Sequence, residues 1–191
     1  MRWDWLAYGI LAVVLIYIVT VFNRLIRQRN VVREGFSGID VQLKRRTDLV
    51  PALVETVKGY ATHERTLLEE VTAKRAMSID AQAAGNVNQT AQAAQQLGSA
   101  VGRLIAVAEA YPQLKANENF LKLQEQLSEI EEQLQYARRY YNGAVRNLNI
   151  SIQSFPEFLI AKPLGFSEQP FFELEDRAQG ANPNISFDRK A

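Results

Sequence analysis

The chain has 191 residues, a formal net charge of +1, 47% apolar residues, no cysteine and one histidine, His63. Balanced charge excludes a nucleic-acid binder that works through a bulk basic field. The missing cysteine excludes disulfides and thiolate metal sites, and a lone histidine removes most metal and acid–base schemes that need paired imidazoles. The length admits one soluble domain plus an appendage, and the middle of the chain is rich in helix-favouring Ala, Gln, Glu, Leu and Arg.

The first element is WLAYGILAVVLIYIVTVF, Trp5 to Phe22, which carries no charge. As a helix it measures about 27 Å, close to the hydrocarbon thickness of a bilayer, and Trp3, Trp5, Tyr8 and Phe22 suit the interfaces. A signal peptide wants a shorter apolar run and a small-residue cleavage site, which TVFNRLIRQRN does not offer. The expectation is a retained transmembrane helix. Arg24, Arg27, Arg29 and Arg33 follow it, against Arg2 before it, so the positive-inside rule puts residues 24–191 in the cytoplasm. Those four arginines sit at headgroup height and are candidate contacts for anionic lipid.

Beyond the span, Leu25, Val32, Phe36, Ile39, Leu43, Val50, Leu53, Val57 and Tyr60 fall on alternating three- and four-residue steps, with Arg29 and Arg46 the charges on that seam. Two shorter helices follow. One runs from about Glu64 to Ala84 with Leu67, Leu68, Val71 and Met77 facing in. The other runs from about Val87 to Ala110 with Leu97, Val101, Leu104, Ala108 and Tyr111 on its seam. A last heptad runs through Phe120, Leu123, Leu127, Ile130, Leu134, Ala137, Tyr141, Ala144 and Leu148, and onward to Ile152 and Phe155.

At 1.5 Å per residue the outer helices are about 57 and 58 Å long and the inner pair about 30 and 36 Å, which suits an up-down-up-down order. The fold class expected is all-α: a transmembrane helix, then an elongated antiparallel four-helix bundle. Its boundaries fall at an extracytoplasmic N-terminus 1–4, a membrane helix 5–23, a bundle 24–155 and an apolar, aromatic segment 156–176. A polar tail 177–191 follows, in which Ile185 and Phe187 could dock. The membrane-proximal half of the bundle holds two helices only. Its seam residues Phe36, Ile39, Tyr141, Leu148 and Ile152 are therefore expected to seek partners in other copies, giving a homo-oligomer.

IDVQLKRRTDLVPALVETVKGYATHE (Ile39–Glu64) resembles the signature of the LemA family of bacterial membrane proteins. ARRYYNGAVRNLNISIQSFPEFLIAKPLGFSEQPFFELED (Ala137–Asp176) resembles its C-terminal signature. With the leading span and the heptads, the resemblance covers nearly the whole chain. It implies a single-span protein bearing an antiparallel four-helix bundle, without an assigned activity. Family members look like membrane scaffolds or adaptors; some belong to magnetosome membranes and others are encoded near membrane metalloproteases.

Pro51 is read as a helix kink, since the heptad keeps its phase through it, with Thr47 or Asp48 capping freed donors or the Thr47 carbonyl left exposed. Lys44 and Arg45 form a solvated face, and Arg46 is expected to pair across the bundle with a glutamate of the last helix, such as Glu129 or Glu132. RRYYN (Arg138–Asn142) reads as seam and interface, not as a nucleic-acid surface. The stretch from Phe155 to Phe172 carries Phe158, Phe166, Phe171 and Phe172. Pro163, Gly165 and Pro170 prevent a second span, so it should lie near the membrane or wrap a neighbouring protomer's stalk.

The function expected is a non-enzymatic, oligomeric scaffold or adaptor at the bacterial inner membrane, touching lipid and another membrane protein such as a metalloprotease. No cofactor, metal or nucleic acid is expected, and no pocket with convergent polar groups. The alternative is a membrane-remodelling coat acting by self-assembly and lipid contact.

Overall fold

The computed structural model describes residues 2–61 and 63–173. Residues 174–191, with the polar tail and the docking expected of Ile185 and Phe187, lie outside the described residues. The described chain is helical throughout its regular structure: α1 (Arg2–Lys58), α2 (Arg65–Ala84), α3 (Val87–Ala108), α4 (Pro112–Lys115), α5 (Glu118–Gln153) and α6 (Phe158–Ala161). α1 runs out from the apolar end, α2 returns, α3 runs out again, and α5 comes back along the length of α1.

Local chemistry explains the breaks. Gly85 ends α2 with φ +66°, a left-handed conformation that glycine adopts without steric cost. Asn86 caps α3 by accepting from the Gln89 N–H at 3.1 Å, and Asn117 caps α5 by accepting from the Asn119 and Phe120 N–H groups at 2.9 and 3.1 Å. The expected turn after Tyr111 contains the single helical turn α4, which drops Leu114 into the core.

The distal core is built from the heptads. Val50, Leu53 and Val57 of α1 meet Leu68 and Val71 of α2, Leu97, Val101 and Leu104 of α3, and Phe120, Leu123 and Leu127 of α5. Three sequence placements shift. Met77 is 47% exposed, because the residue one heptad beyond Val71 is Ser78, which is buried instead. Tyr60 is 39% exposed, lying past the end of α1, and Phe155 is 78% exposed, lying past the end of α5.

Pro51 sits inside a continuous α1. Proline has no N–H, so the carbonyl four residues back, that of Thr47, loses its intrahelical donor. Arg75 of α2 supplies one: its Nε donates to the Thr47 oxygen at 2.7 Å. Thr47 is buried, so that carbonyl would otherwise go unmet. Neither Thr47 nor Asp48 does the repair. The Thr47 hydroxyl donates to the Lys44 carbonyl at 2.8 Å, and Asp48 pairs with Lys44 at 3.3 Å. The proline site thus becomes a tether between α1 and α2.

Arg75→Met should cost about 1–3 kcal/mol in urea unfolding of the chain, the cost of stranding a buried acceptor. In a Pro51→Ala background, where residue 51 donates to Thr47 again, the same substitution should cost well under half as much. Equal costs in the two backgrounds would break the link between Pro51 and Arg75.

Candidate functional site at the membrane boundary

Along the first five turns of α1 the apolar side chains are exposed, Trp3, Trp5, Leu6 and Ile10 among them, and burial begins at Val21 and Leu25. An apolar helix surface with nothing packed on it is what a bilayer covers. From Val21 onward α1 and α5 pack side by side. They approach closely at Gly35, where a Cβ would stand 3.0 Å from the Tyr141 Cα. Phe36 lies against Tyr141 with ring centroids 5.8 Å apart.

α5 ends at Gln153, ahead of Pro156, as the restriction on the residue before proline requires. The chain then makes the single turn α6 and reverses. Gly165 has φ +75°, its N–H donates to the Lys162 carbonyl at 3.1 Å and the Phe166 N–H donates to the Ala161 carbonyl at 3.0 Å. This is the paired-bond helix stop that a left-handed glycine allows. From Phe166 the chain runs back along the stalk, opposite to α5.

Two asparagines hold the returning strand. Asn149 Nδ2 donates to the Gln169 carbonyl and its Oδ1 accepts the Gln169 N–H, both at 2.9 Å. Asn142 does the same with Phe172, at 3.2 and 2.8 Å, and the Tyr141 hydroxyl donates to the Pro170 carbonyl at 2.8 Å. The spacing is metrically matched. Seven residues of helix rise about 10.5 Å, and three residues of extended chain cover about 10 Å. Burial of the Tyr141 hydroxyl pushes its pKa up to about 12, so it stays a donor at any ordinary pH.

This strand corrects the expectation for the seam. Ile39, Tyr141, Leu148 and Ile152 are buried and Phe36 is half-buried within one chain, in a cluster completed by Ala161, Phe166 and Phe172. The chain covers its own stalk, so these residues are not left for other copies. The aromatic segment divides. Phe166 meets Phe22 edge-on with centroids 6.0 Å apart, at the end of the apolar span, and Phe158 is half-buried nearby in the sequence turn. Phe172 instead lies against Arg138, 5.3 Å from guanidinium carbon to ring centroid, and Phe171 is half-buried beside it. Phe36, opposite Tyr141, is about 21 Å along α1 from Phe22. Phe171 and Phe172 are therefore not membrane-proximal, because the reversal at Gly165 carries them away.

The four boundary arginines have unlike surroundings. Arg24 pairs with Glu157 at 2.9 Å, tying α1 to the chain after α5. Arg29 lies over the Phe166 ring at 5.3 Å, a cation–π contact that helps hold the reversal. Arg27 and Arg33 are exposed. On the outward side of the same level stand Phe155, Leu159 and Leu164, at 78%, 56% and 48% exposure.

A family model described as the LemA family matches residues 35–187. The chain belongs to the LemA family. Among its relatives are the magnetosome proteins MamQ 1 and MamQ 2 of Paramagnetospirillum magneticum, each 24% identical over 78% of this chain and 63% of the relative. Another is the protein LemA of Metamycoplasma hominis, 26% identical over 81% of this chain and 69% of the relative. The LemA-family chain thus spans under two thirds of the length of the MamQ proteins it matches. With one helix, among the described residues, apolar and long enough to cross a bilayer, it is a membrane-associated protein.

Asn142 and Asn149 went unread in the sequence. The signal for them is an asparagine pair at i and i+7 on the face of α5 between its apolar seam and solvent, within the C-terminal LemA signature. Arg46 pairs with a glutamate of the last long helix as expected, and that glutamate is Glu131 instead of Glu129 or Glu132. Glu131 lies one turn from both Leu127 and Leu134 and so borders the seam, whereas Glu129 and Glu132 point to solvent.

Replacing Asn142 and Asn149 together by alanine should weaken the strand by about 3 kcal/mol, or roughly 100-fold in its opening equilibrium. Amide exchange at the Gln169 and Phe172 N–H groups reads this directly. Unchanged protection at both would remove the asparagines from the account.

Proposed function

We propose that this LemA-family chain is a non-enzymatic scaffold or adaptor that holds a rigid helical post at the inner face of a bacterial inner membrane, residues 24–191 on the cytoplasmic side. The observation that carries the reading is the stalk. A single helix, α1, runs from the apolar span to the distal core, and the chain spends its last described residues bracing it. Such bracing serves a part that must stand at a set height and resist bending. The MamQ relatives are named as magnetosome proteins, which supports work at a membrane surface.

In this reading the arginines at the boundary face anionic headgroups, with Arg27 and Arg33 the freest for it, and Phe155, Leu159 and Leu164 rest among the headgroups. Copies of the chain associate through faces outside the covered seam, and a second membrane protein is the client. Recovery of a stoichiometric membrane-protein partner from mild detergent supports the adaptor; protease digestion of the bundle from outside intact cells overturns the orientation. A monodisperse monomer in mild detergent removes the self-association.

The exposed Phe155, Leu159 and Leu164 also support a second reading, a coat that wedges into one leaflet and remodels it. Tubulation of liposomes by the pure protein decides for the coat.

Lipid depth gives a sharper expectation. In a background lacking Trp3 and Trp5, Leu159→Trp should be quenched strongly by brominated lipid and Phe171→Trp hardly at all. Equal quenching at the two positions would contradict the reversal of the segment.

A further inference from the structure

The sequence suggests no pocket with convergent polar groups, yet the bundle has one. α3 and α5 flank a groove of about 430 Å3 whose lining includes Arg46, Gly98, Gln124, Glu131, Gln135 and Arg138. The two arginines are 6% and 7% exposed, a degree of burial that guanidinium groups seldom reach unless paired. Arg46 has partners: Glu131, and the Ala94 carbonyl, to which its Nη1 donates at 3.4 Å. Gly98 makes room for it, since a Cβ there would stand 3.1 Å from the same Nη1.

Arg138 is different. Phe172 lies over its guanidinium, and its Nε has no hydrogen-bond partner. A buried, unmet donor on a charged group costs free energy that a ligand can recover. Arg46 and Arg138 are close enough to repel: burial first, then the Arg138 charge, lowers the Arg46 pKa to about 10, and burial lowers that of Arg138. At neutral pH both remain charged. Among the described lining residues Glu131 is the one carboxylate, so the groove carries a net charge of about +1 from two guanidiniums and one acid.

We propose that this groove binds a singly charged oxyanion, the carboxylate or phosphodiester group of a small soluble ligand, with Arg138 as its principal donor and Arg46 beside it. The charge sets the class: one negative unit neutralises the site, while a dianion would be repelled by Glu131. Distance excludes a bilayer headgroup, because Arg46 lies 24 residues beyond Phe22 on one helix, about 36 Å from the apolar span. Gln124 and Gln135 supply side-chain amides at the open side, suited to the neutral part of such a ligand. The site is independent of the adaptor reading and stands whether or not a protein client exists.

The test uses the full chain in detergent at pH 6, with monobasic phosphate against chloride at matched ionic strength, followed by thermal unfolding and titration calorimetry. Phosphate at ten times its Kd should raise Tm by about 3 °C. Arg138→Met should abolish the shift while leaving helical content intact. Ser128→Trp, which adds bulk at an exposed lining position of the groove and keeps both arginines, should abolish it as well. No phosphate-dependent shift in the parent chain, or a shift that survives both substitutions, overturns the proposal. So does phosphate binding that appears only in a Glu175→Gln, Asp176→Asn chain, since the anion would then be the chain's own carboxylate.

Discussion

Two helices side by side cannot bury a seam, and the structure turns on how that deficit is met. Asparagine meets it here. A side-chain amide carries one acceptor and one donor in a plane, the same pair that a peptide group offers across a sheet. Asn142 and Asn149 present that pair twice along α5, so the helix binds an extended strand as an edge strand would. The strand brings Phe166 and Phe172 onto the seam. With them comes the burial of Ile39, Tyr141 and Leu148 that two helices alone would leave wet. The Arg29–Phe166 contact at the boundary presupposes that return, and the Arg24–Glu157 pair holds the chain just ahead of it.

The polar groups in the interior follow a shared logic. Thr47, Arg46 and Arg138 lie between the two apolar clusters, where the helix count changes from four in the distal half to two helices and a strand in the proximal half. A junction of two packings leaves space that aliphatic side chains do not fill well. Charged and hydroxyl groups occupy it, each needing a partner. Arg75 answers Thr47 and Glu131 answers Arg46. Arg138 is answered in part by the face of Phe172, and its Nε is left unmet.

Much of this architecture was legible in the sequence, because heptads report which helix face is buried. The four long helices, the passage of α1 through Pro51 and the stop before Pro156 all follow from periodicity and proline chemistry. What periodicity cannot report is a non-helical partner. The strand from Phe166 to Phe172 has no repeat to read, and its register is set by two asparagines that resemble any polar residue on a helix flank. The seam was therefore assigned to other copies when the same chain covers it. The choice of Glu131 over Glu129 or Glu132 was lost for a related reason: all three are surface glutamates in sequence, and only the neighbouring seam leucines separate them.

The uninterrupted course of α1 has a mechanical meaning. A helix with a loop at the membrane boundary would let the bilayer and the bundle move apart, but here one rod serves both. From Phe22 to Lys58 it extends about 54 Å. A tilt of about 5° at the bilayer, of the size that a change in hydrophobic thickness produces, sweeps the far end through about 5 Å. Pro51 interrupts the hydrogen-bond ladder of the rod, and the bond from Arg75 to Thr47 stiffens it there. With the apolar span in a bilayer, a change in its tilt would be carried to the distal tip as a pivot's motion is carried to a pointer, far outside the bilayer.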